Sequence, residues 1–269
     1  MTPGSLVFIG LGLYDKDDIS VKGLQVLKQC DTLFAECYTS QLMGASIEQL
    51  EHTIGKPIRV LTRKDTEKGT HILDAAKKEH VGLLIGGDPM IATTHVDLRI
   101  RAQQQGIPTK IIHGSSIVTA VPGLLGLQNY KFGRSTTLAY PEKDYFPLSP
   151  YDVIHQNQHQ GLHTLVLLDI QAEKHKFMTA PEAIALLLEM EQQKKQGLFH
   201  PQSVVCVVAR AGSDNPIVAA NTMKALQQQD FGPPLHTLVV PGPVHFMELD
   251  ALLHLAGLPE SCTEYIQKL

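Results

Sequence analysis

The sequence contains no tryptophan, few aromatic residues and only four cysteines among its 269 residues. The cysteines form no C-x-x-C pair, which disfavours a disulfide framework and a structural zinc site and predicts reduced, mostly buried thiols. No apolar run approaches the roughly 20 residues that a membrane-spanning helix needs. Positive charge is not in excess either. A formal net charge of -4 offers no field to hold a phosphate backbone, so direct nucleic-acid binding is disfavoured.

The N-terminal residues lack a basic stretch followed by a long apolar segment and a cleavage site of small residues, so nothing marks the chain for export. We therefore predict a globular cytoplasmic protein without membrane contact. The length exceeds the usual domain of about 100–200 residues, which predicts two lobes. We place them at residues 1–113 and 114–269.

Short apolar runs alternate with amphipathic helical patterns, which predicts an α/β protein with largely buried strands. The predicted strands are 6–9, 32–35, 58–61, 81–85 and 109–112 in a doubly wound first lobe, and 165–168, 204–209, 217–220 and 238–240 in the second. One helix in the second lobe has clear ends. The capping box of Thr179 and Glu182 begins it, and Lys194, Lys195 and Gly197 end it.

The loops that follow the strands matter most for function, because open α/β sheets bind ligands outside the carboxyl ends of their strands. The first loop carries Gly10 and Gly12, which let the backbone bend sharply and approach a ligand. A dinucleotide fingerprint would need a third glycine where Asp15 stands, so hydride transfer is poorly supported. The loop alone fits a plain turn as well as a ligand site. Asp18 or Ser20 is predicted to cap the helix that follows.

A second loop, Gly86-Gly87-Asp88-Pro89, follows a strand of valine and leucine. Pro89 fixes its own φ and pushes Asp88 out of the helical region, which predicts a rigid turn. Thr93 or Thr94 is predicted to cap the next helix, leaving backbone N–H groups and the Asp88 carboxylate near any ligand. In isolation the triplet G-D-P is more often only a turn.

Longer strings of residues are more specific to one protein family than these short motifs are. The chain contains, in order, GLGLYDKDDIS, FAECYTS, GGDPMIATTH, DLRIRA, YKFGRS, YPE, GLHTLVLLDI, MTAPEA, VVARAGS and VPGPVHFME. In these strings, over almost its whole length, it resembles the diphthine synthases, a family within the tetrapyrrole methylase class. One stretch departs from the family: residues 120–127 are one residue longer and carry Pro122 where glycine is expected, which predicts a kink.

The resemblance implies two α/β lobes with S-adenosylmethionine in the cleft between them, and a homodimer. It also implies that the methyl acceptor is the amino group of a 3-amino-3-carboxypropyl-histidine on translation elongation factor 2, an intermediate of diphthamide biosynthesis. No catalytic base is assigned, although Asp88 and His236 are candidates. The cofactor contacts carried over by matched motif are Leu13, Asp88, Ile91, Ser116, Ile117, Leu168, Ala211 and His236.

Plainer interpretations stand beside these assignments. Leu168 and Ala211 are also ordinary core residues, Ser116 a helix cap, and His236 a histidine satisfied within the fold. Two other functions stay open: a methylase acting on a tetrapyrrole, which would need a large aromatic-lined cleft, and a protein that binds S-adenosylmethionine without chemistry.

One histidine pattern has the spacing of a possible metal site. His155, His159 and His163 recur every four residues, but no carboxylate or cysteine completes a metal set. We therefore predict no metal site, and favour a solvated helix followed by the start of a strand.

Overall fold

The structure is a computed structural model that describes residues 4–36, 42–143 and 145–268. The chain divides into two compact units, one of Met1–Ile117 with Ile170–His175 and one of Val118–Asp169 with Lys176–Leu269. The division predicted at residue 113 lies just before this boundary. Of the string FAECYTS, residues 37–40 lie outside the described residues.

The first unit is built on five parallel strands, β1 (Ser5–Gly10), β2 (Thr32–Glu36), β3 (Arg59–Leu61), β4 (His80–Ile85) and β5 (Thr109–Ile112). Their order in the sheet is β3-β2-β4-β1-β5. All five predicted strands are confirmed. The helices are α1 (Val21–Gln29), α2 (Ile47–Ile54), α3 (Arg63–Lys68), α4 (Thr70–Ala76) and α5 (His95–Gln104), with a 3-10 turn at Lys16–Asp18.

Both faces of this sheet are covered. Successive side chains of a strand point to opposite faces. In β1, Val7 and Ile9 pack in one core with Leu27 of α1, whereas Leu6 and Phe8 pack in another, formed with residues of α4 and α5. A strand buried on both faces reads as a continuous apolar run, which is why the sequence revealed it. The predicted doubly wound architecture is confirmed.

The second unit has a five-stranded sheet of order β11-β10-β12-β7-β6, antiparallel except for the β6–β7 pair. Its strands are β6 (Thr136–Leu138), β7 (Thr164–Leu168), β10 (Val204–Ala209), β11 (Ile217–Thr222) and β12 (His236–Val240), and the chain also forms the short strands β8 (Ile170–Gln171) and β9 (Lys176–Phe177). The sequence predicted four of the five sheet strands and missed β6. The helices are α6 (Ile117–Leu125), α7 (Ser149–His159), α8 (Ala180–Lys194), α9 (Met223–Leu226) and α10 (Phe246–Leu255).

Helix α8 begins and ends as its sequence predicts. The Thr179 hydroxyl accepts a hydrogen bond from the backbone N–H of Glu182, and the Glu182 carboxylate accepts one from the N–H of Thr179 at 2.8 Å. At the other end Lys195 adopts a left-handed conformation with φ 53° and closes the helix. Both signals are local, so they act without help from the tertiary fold.

The predicted cap of α5 is wrong. Thr94 precedes the helix, but its side chain makes no capping hydrogen bond, and the Thr93 hydroxyl is buried without a partner among the described residues. Thr94 has φ −96° and ψ 7°, whereas a capping side chain needs an extended backbone. The turn is closed instead by the Nδ1–H of His95, which donates to the carbonyl of Pro89 at 3.1 Å.

Two further findings concern the sequence predictions. Pro122 lies inside α6 and is buried there; the kink itself stays a prediction. In residues 4–36, 42–143 and 145–268, no helix is both long enough and apolar enough to cross a bilayer.

Candidate functional site

Three loops of the first unit leave neighbouring strands at the same edge of the sheet. Strand β1 lies between β4 and β5, and all three run parallel. The loops after Gly10, Ile85 and Ile112 therefore start side by side at the carboxyl edge, the edge at which open α/β sheets bind ligands. Sequence order alone, in which these loops are far apart, gives no sign of this adjacency.

Glycine allows the three loops to touch through their backbones. A Cβ added to Gly10 would lie 2.5 Å from the carbonyl oxygen of Gly87 and 2.6 Å from the nitrogen of Gly114, and a Cβ on Gly114 would lie 2.6 Å from that same oxygen. All three distances are well inside van der Waals contact, and the obstructing atoms are backbone. The two positions therefore require glycine for the loops to meet.

Gly87 faces outward from this contact. Its φ is +73°, and a Cβ there would meet no atom closer than the Ser115 oxygen at 4.0 Å. It also exchanges hydrogen bonds with Gly12: the N–H of Gly87 donates to the Gly12 carbonyl at 2.7 Å, and the N–H of Gly12 donates back at 3.4 Å. The first two loops are thus tied together, while one side of Gly87 stays open to a ligand.

Asp18 holds the first loop through hydrogen bonds to its backbone. One of its carboxylate oxygens accepts the backbone N–H of Leu13 at 3.1 Å and that of Tyr14 at 2.7 Å. The prediction that Asp18 or Ser20 caps α1 is confirmed for Ser20, whose hydroxyl accepts from the N–H of Gly23 at 3.0 Å. Asp18 therefore shapes the first loop. Because its carboxylate accepts the N–H of Leu13, only the carbonyl and side chain of Leu13 remain for contacts with a ligand.

Asp88 lies in the second loop with its side chain 10% exposed. One carboxylate oxygen accepts the N–H of Met90 at 2.9 Å, and the other is 2.7 Å from Nδ1 of His113 in the third loop. A carboxylate can accept about four hydrogen bonds. The described partners use two of these positions, so Asp88 can still accept from a ligand.

Five of the eight predicted contacts fall in or next to these loops. Leu13 and Asp88 lie in the first two loops, and Ile91 follows Asp88 with 43% of its surface exposed. Ser116 is buried in the third loop, and Ile117 opens α6 directly after it. The structure thus brings these five together at one edge of the sheet.

The other three predicted residues gather at one edge of the second sheet. Leu168 ends β7, Ala211 lies two residues beyond the end of β10, and His236 begins β12. Because β12 is antiparallel to both neighbours, its start lies beside their ends, with His236 paired to Ala209 and Thr237 to Leu167. All three are buried, in keeping with a place in the core as well as with an apolar contact.

The ring of His236 is fully engaged with backbone. The N–H of Ala180 donates to Nδ1 at 3.1 Å, so Nδ1 holds the lone pair, and Nε2 is 3.2 Å from the Pro233 carbonyl, so Nε2 carries the hydrogen. Burial lowers the pKa of His236, which favours this neutral form. The ring therefore has no free nitrogen, which disfavours His236 as a proton acceptor.

Sequence reasoning missed His113. His113 directly follows β5, and its side chain is 73% exposed. The sequence did offer one signal for it, because ligand-binding residues often stand at the carboxyl end of a parallel strand. Its hydrogen bond to Asp88, 25 residues away, depends on β4 and β5 both flanking β1. That arrangement is not readable from the chain.

The histidine series near α7 is divided in the structure. His155 and His159 lie on α7 with their Nε2 atoms 3.2 Å apart, but His163 is fully buried just before β7 and bonds to Glu248. The expected helix followed by a strand start is confirmed, with His163 buried directly before the strand. Within the described part of the chain no group of three or more histidine, cysteine, aspartate or glutamate side chains could hold a metal ion.

Comparison with known proteins agrees with this architecture. The sequence profile of the Tetrapyrrole (Corrin/Porphyrin) Methylases matches residues 5–227, so the two units and their loops define a protein of that class. A diphthine synthase of Methanocella arvoryzae is 52% identical over 257 residues, covering 94% of this chain and 98% of that protein. One of Methanothermobacter thermautotrophicus is 46% identical over 259 residues, covering 96% and 98%.

A solved structure gives the same result. The crystal structure of a diphthine synthase superposes with a TM-score of 0.87 at 38% identity and covers 97% of this chain and 99% of that one. Within the tetrapyrrole methylase class the chain therefore belongs to the diphthine synthase family. It is an S-adenosylmethionine-dependent methyltransferase of diphthamide biosynthesis.

Proposed function

We propose that this protein methylates the amino group of a 3-amino-3-carboxypropyl-histidine on translation elongation factor 2, with S-adenosylmethionine as methyl donor. Family membership over almost the whole chain supports the substrate. The observation that carries the proposal is the cluster of three glycine-containing loops at the carboxyl edge of the first sheet, with Asp88 at its centre.

The residues of this cluster fit the cofactor's chemistry. S-adenosylmethionine presents an ammonium and hydroxyl groups that need acceptors, and an adenine that needs apolar surface and backbone hydrogen bonds. Asp88 supplies an acceptor with unused capacity, Gly87 exposes its backbone, and Ile91 presents apolar surface. We propose Leu13, Asp88, Ile91, Ser116 and Ile117 as cofactor contacts of the first unit.

The three residues of the second unit are proposed contacts as well. Leu168 and Ala211 offer apolar surface, whereas His236 can offer only its backbone or the edge of its ring, because both ring nitrogens are engaged. We further propose that the protein acts in the cytoplasm as a homodimer, as the family resemblance implies.

S-adenosylmethionine, when bound, would supply an electrophilic methyl group on its sulfonium for transfer to a neutral amine. The protein's part is orientation. Asp18 fixes the loop at Leu13, and the contact of Gly10, Gly87 and Gly114 fixes three loops relative to one another. Such preorganisation lowers the barrier by holding reacting groups in place before reaction. The acceptor amine must lose a proton before each methylation.

The test combines the purified protein, methyl-labelled S-adenosylmethionine and elongation factor 2 that carries the unmethylated intermediate. We expect label on the factor, and none on a factor whose modifiable histidine has been replaced. Label on tetrapyrroles but not on the factor would assign the enzyme to the other substrate class. Tight cofactor binding without transfer to either acceptor would indicate a binding protein.

A further inference from the structure

His113 and Asp88 form a carboxylate–imidazole pair at the candidate site. Their Nδ1 and Oδ2 atoms are 2.7 Å apart, the Asp88 side chain is 10% exposed, and the His113 side chain is 73% exposed. The carboxylate is held in place because its other oxygen accepts the N–H of Met90. An anchored carboxylate therefore orients an imidazole that projects from the carboxyl edge of the sheet.

This hydrogen bond determines which nitrogen of the neutral ring carries the hydrogen. An ionised carboxylate can only accept, so Nδ1 of His113 must donate, and Nε2 then holds a lone pair. No described residue hydrogen-bonds to Nε2. An exposed nitrogen lone pair, on a ring oriented by an adjacent carboxylate, is the arrangement of a general base.

The other histidines of the two sheet edges do not offer this. Both ring nitrogens of His236 are engaged with backbone. His95 is 2% exposed and uses Nδ1 to hold the Pro89 carbonyl, so a substrate amine cannot reach its ring. Asp88 itself already accepts two hydrogen bonds and is almost covered.

We propose that His113 is the proton acceptor for the substrate amine, an inference that rests on the proposed function. An N–H bond of the substrate ammonium breaks, a bond between that hydrogen and Nε2 forms, and the amine nitrogen keeps the electron pair with which it attacks the methyl group. The imidazolium keeps its hydrogen bond from Nδ1 to Asp88 and returns the Nε2 proton to water before the next methylation. Asp88 is the positioning residue of the pair.

The first test needs neither substrate nor cofactor. In the nitrogen NMR spectrum of the neutral His113 ring in the free protein, we expect Nδ1 to be protonated and Nε2 to be unprotonated. Asp88→Asn should remove this preference, because the amide no longer requires a donor. A ring protonated at Nε2 in the unsubstituted protein would overturn the proposal.

The second test separates the base from the anchor. In His113→Asn the side-chain amide can still donate to Asp88 in place of Nδ1, but Nε2 is gone. We expect kcat for methyl transfer to the modified factor to fall about 100- to 10,000-fold, the usual contribution of a general base, with little change in the dissociation constant of S-adenosylmethionine. His113→Ala should regain part of its rate with added imidazole.

The matched control is His80→Asn. His80 is exposed at the opposite end of β4, with its Nδ1 2.8 Å from the Ser5 hydroxyl, and should keep the unsubstituted kcat. If His113→Asn also keeps the kcat of the unsubstituted protein, or loses rate only through weaker cofactor binding, the proposal is wrong. If the unsubstituted protein itself does not methylate the factor, the proposed function fails, while the NMR experiment still reports on the ring.

Discussion

The Nε2–H of His163 donates to the carboxylate of Glu248 at 3.0 Å, joining two fully buried side chains that lie 85 residues apart in the chain. The backbone N–H of Gly242 donates to Nδ1 of His163 at 3.0 Å, which places the ring hydrogen on Nε2. The second Glu248 oxygen is 2.6 Å from the ammonium of Lys131. A carboxylate inside the second unit thus links β7 to the start of α10.

Replacing Glu248 with glutamine should destabilise the protein strongly. The substitution leaves the nearly buried Lys131 ammonium without its counter-charge, and breaking a buried pair in this way costs about 3 to 5 kcal/mol. Urea unfolding should show a lower midpoint. Asp250→Asn, on the exposed side of the same helix, should change stability by less than about 0.5 kcal/mol. Equal effects of the two substitutions would contradict this account.

Acid should weaken the fold in the range where Glu248 protonates. Burial raises the pKa of Glu248, but hydrogen bonds from Lys131, from two backbone N–H groups and from His163 outweigh it and lower the pKa from 4.5 to about 2. As the pH falls, the unfolded chain therefore binds this proton before the folded protein does. Ionised Glu248 contributes roughly 3 kcal/mol to the free energy of unfolding above pH 4.5, and this contribution is lost towards pH 2.

The measurement is the urea midpoint as a function of pH. Burial also lowers the pKa of His163 and of His236. The urea midpoint should therefore begin to fall gradually as the pH drops below about 6.5, where the histidines of the unfolded chain take up protons. The steeper loss below pH 4.5 should be much smaller in Glu248→Gln. If this variant shows the same acid slope as the unsubstituted protein, Glu248 is not its source.

Gly114→Ala should weaken cofactor binding. The added Cβ would lie 2.6 Å from the Gly87 oxygen and 2.9 Å from the carbonyl carbon of Gly10, so the loops must move apart. Forcing a methyl group into packed backbone costs about 1–3 kcal/mol, which corresponds to a loss of about 5- to 150-fold in affinity if the loops form the site. Calorimetry with S-adenosylmethionine measures the change.

Gly123→Ala is the matched control for that substitution. Gly123 lies in α6, where a Cβ meets nothing within 4 Å, and alanine is the better helix former by about 1 kcal/mol. This variant should bind the cofactor normally and be no less stable. Normal binding by Gly114→Ala would show that the contact of the three loops is not needed for the site.

Asp18→Ala should loosen the first loop. Without the carboxylate, the N–H groups of Leu13 and Tyr14 lose their acceptor, so their amide hydrogens should exchange faster and cofactor binding should weaken. Asp17→Ala is the control, because the Asp17 side chain is 80% exposed and its only side-chain partner among the described residues is its neighbour Lys16. Unchanged amide exchange at residues 13 and 14 in Asp18→Ala would refute the role given to Asp18.

Strand prediction succeeded where burial alone decides the sequence. Strands β1, β2, β4, β10 and β12 are apolar runs because the fold covers most of their side chains. Strands β3 and β11 are only partly covered and were predicted from shorter apolar runs. Strand β6 was missed because Thr136, Thr137 and Leu138 form too short and polar a run to stand out. The parallel pairing of β6 with β7, which makes it a strand, is a tertiary contact.

Site residues were predictable to the extent that motifs mark them. Asp88 was found because it stands in a specific string, and its place beside the glycine contact agrees with a role in binding. His113 was missed because its hydrogen bond to Asp88 is a contact across the fold. The Thr93 or Thr94 cap was wrongly predicted for a local reason, because Thr94 is not extended and the His95–Pro89 hydrogen bond closes the turn.

The sequence by itself determined nine of the ten strands of the two five-stranded sheets, the ends of α8 and the family, because burial, capping and long motif strings are recorded in neighbouring residues. Only the tertiary structure decided that β1 lies between β4 and β5, and hence that Gly10, Gly87 and Gly114 meet and that Asp88 reaches His113. Strand order is set by the packing of whole elements, so residues 25 or more positions apart become partners without any local signal.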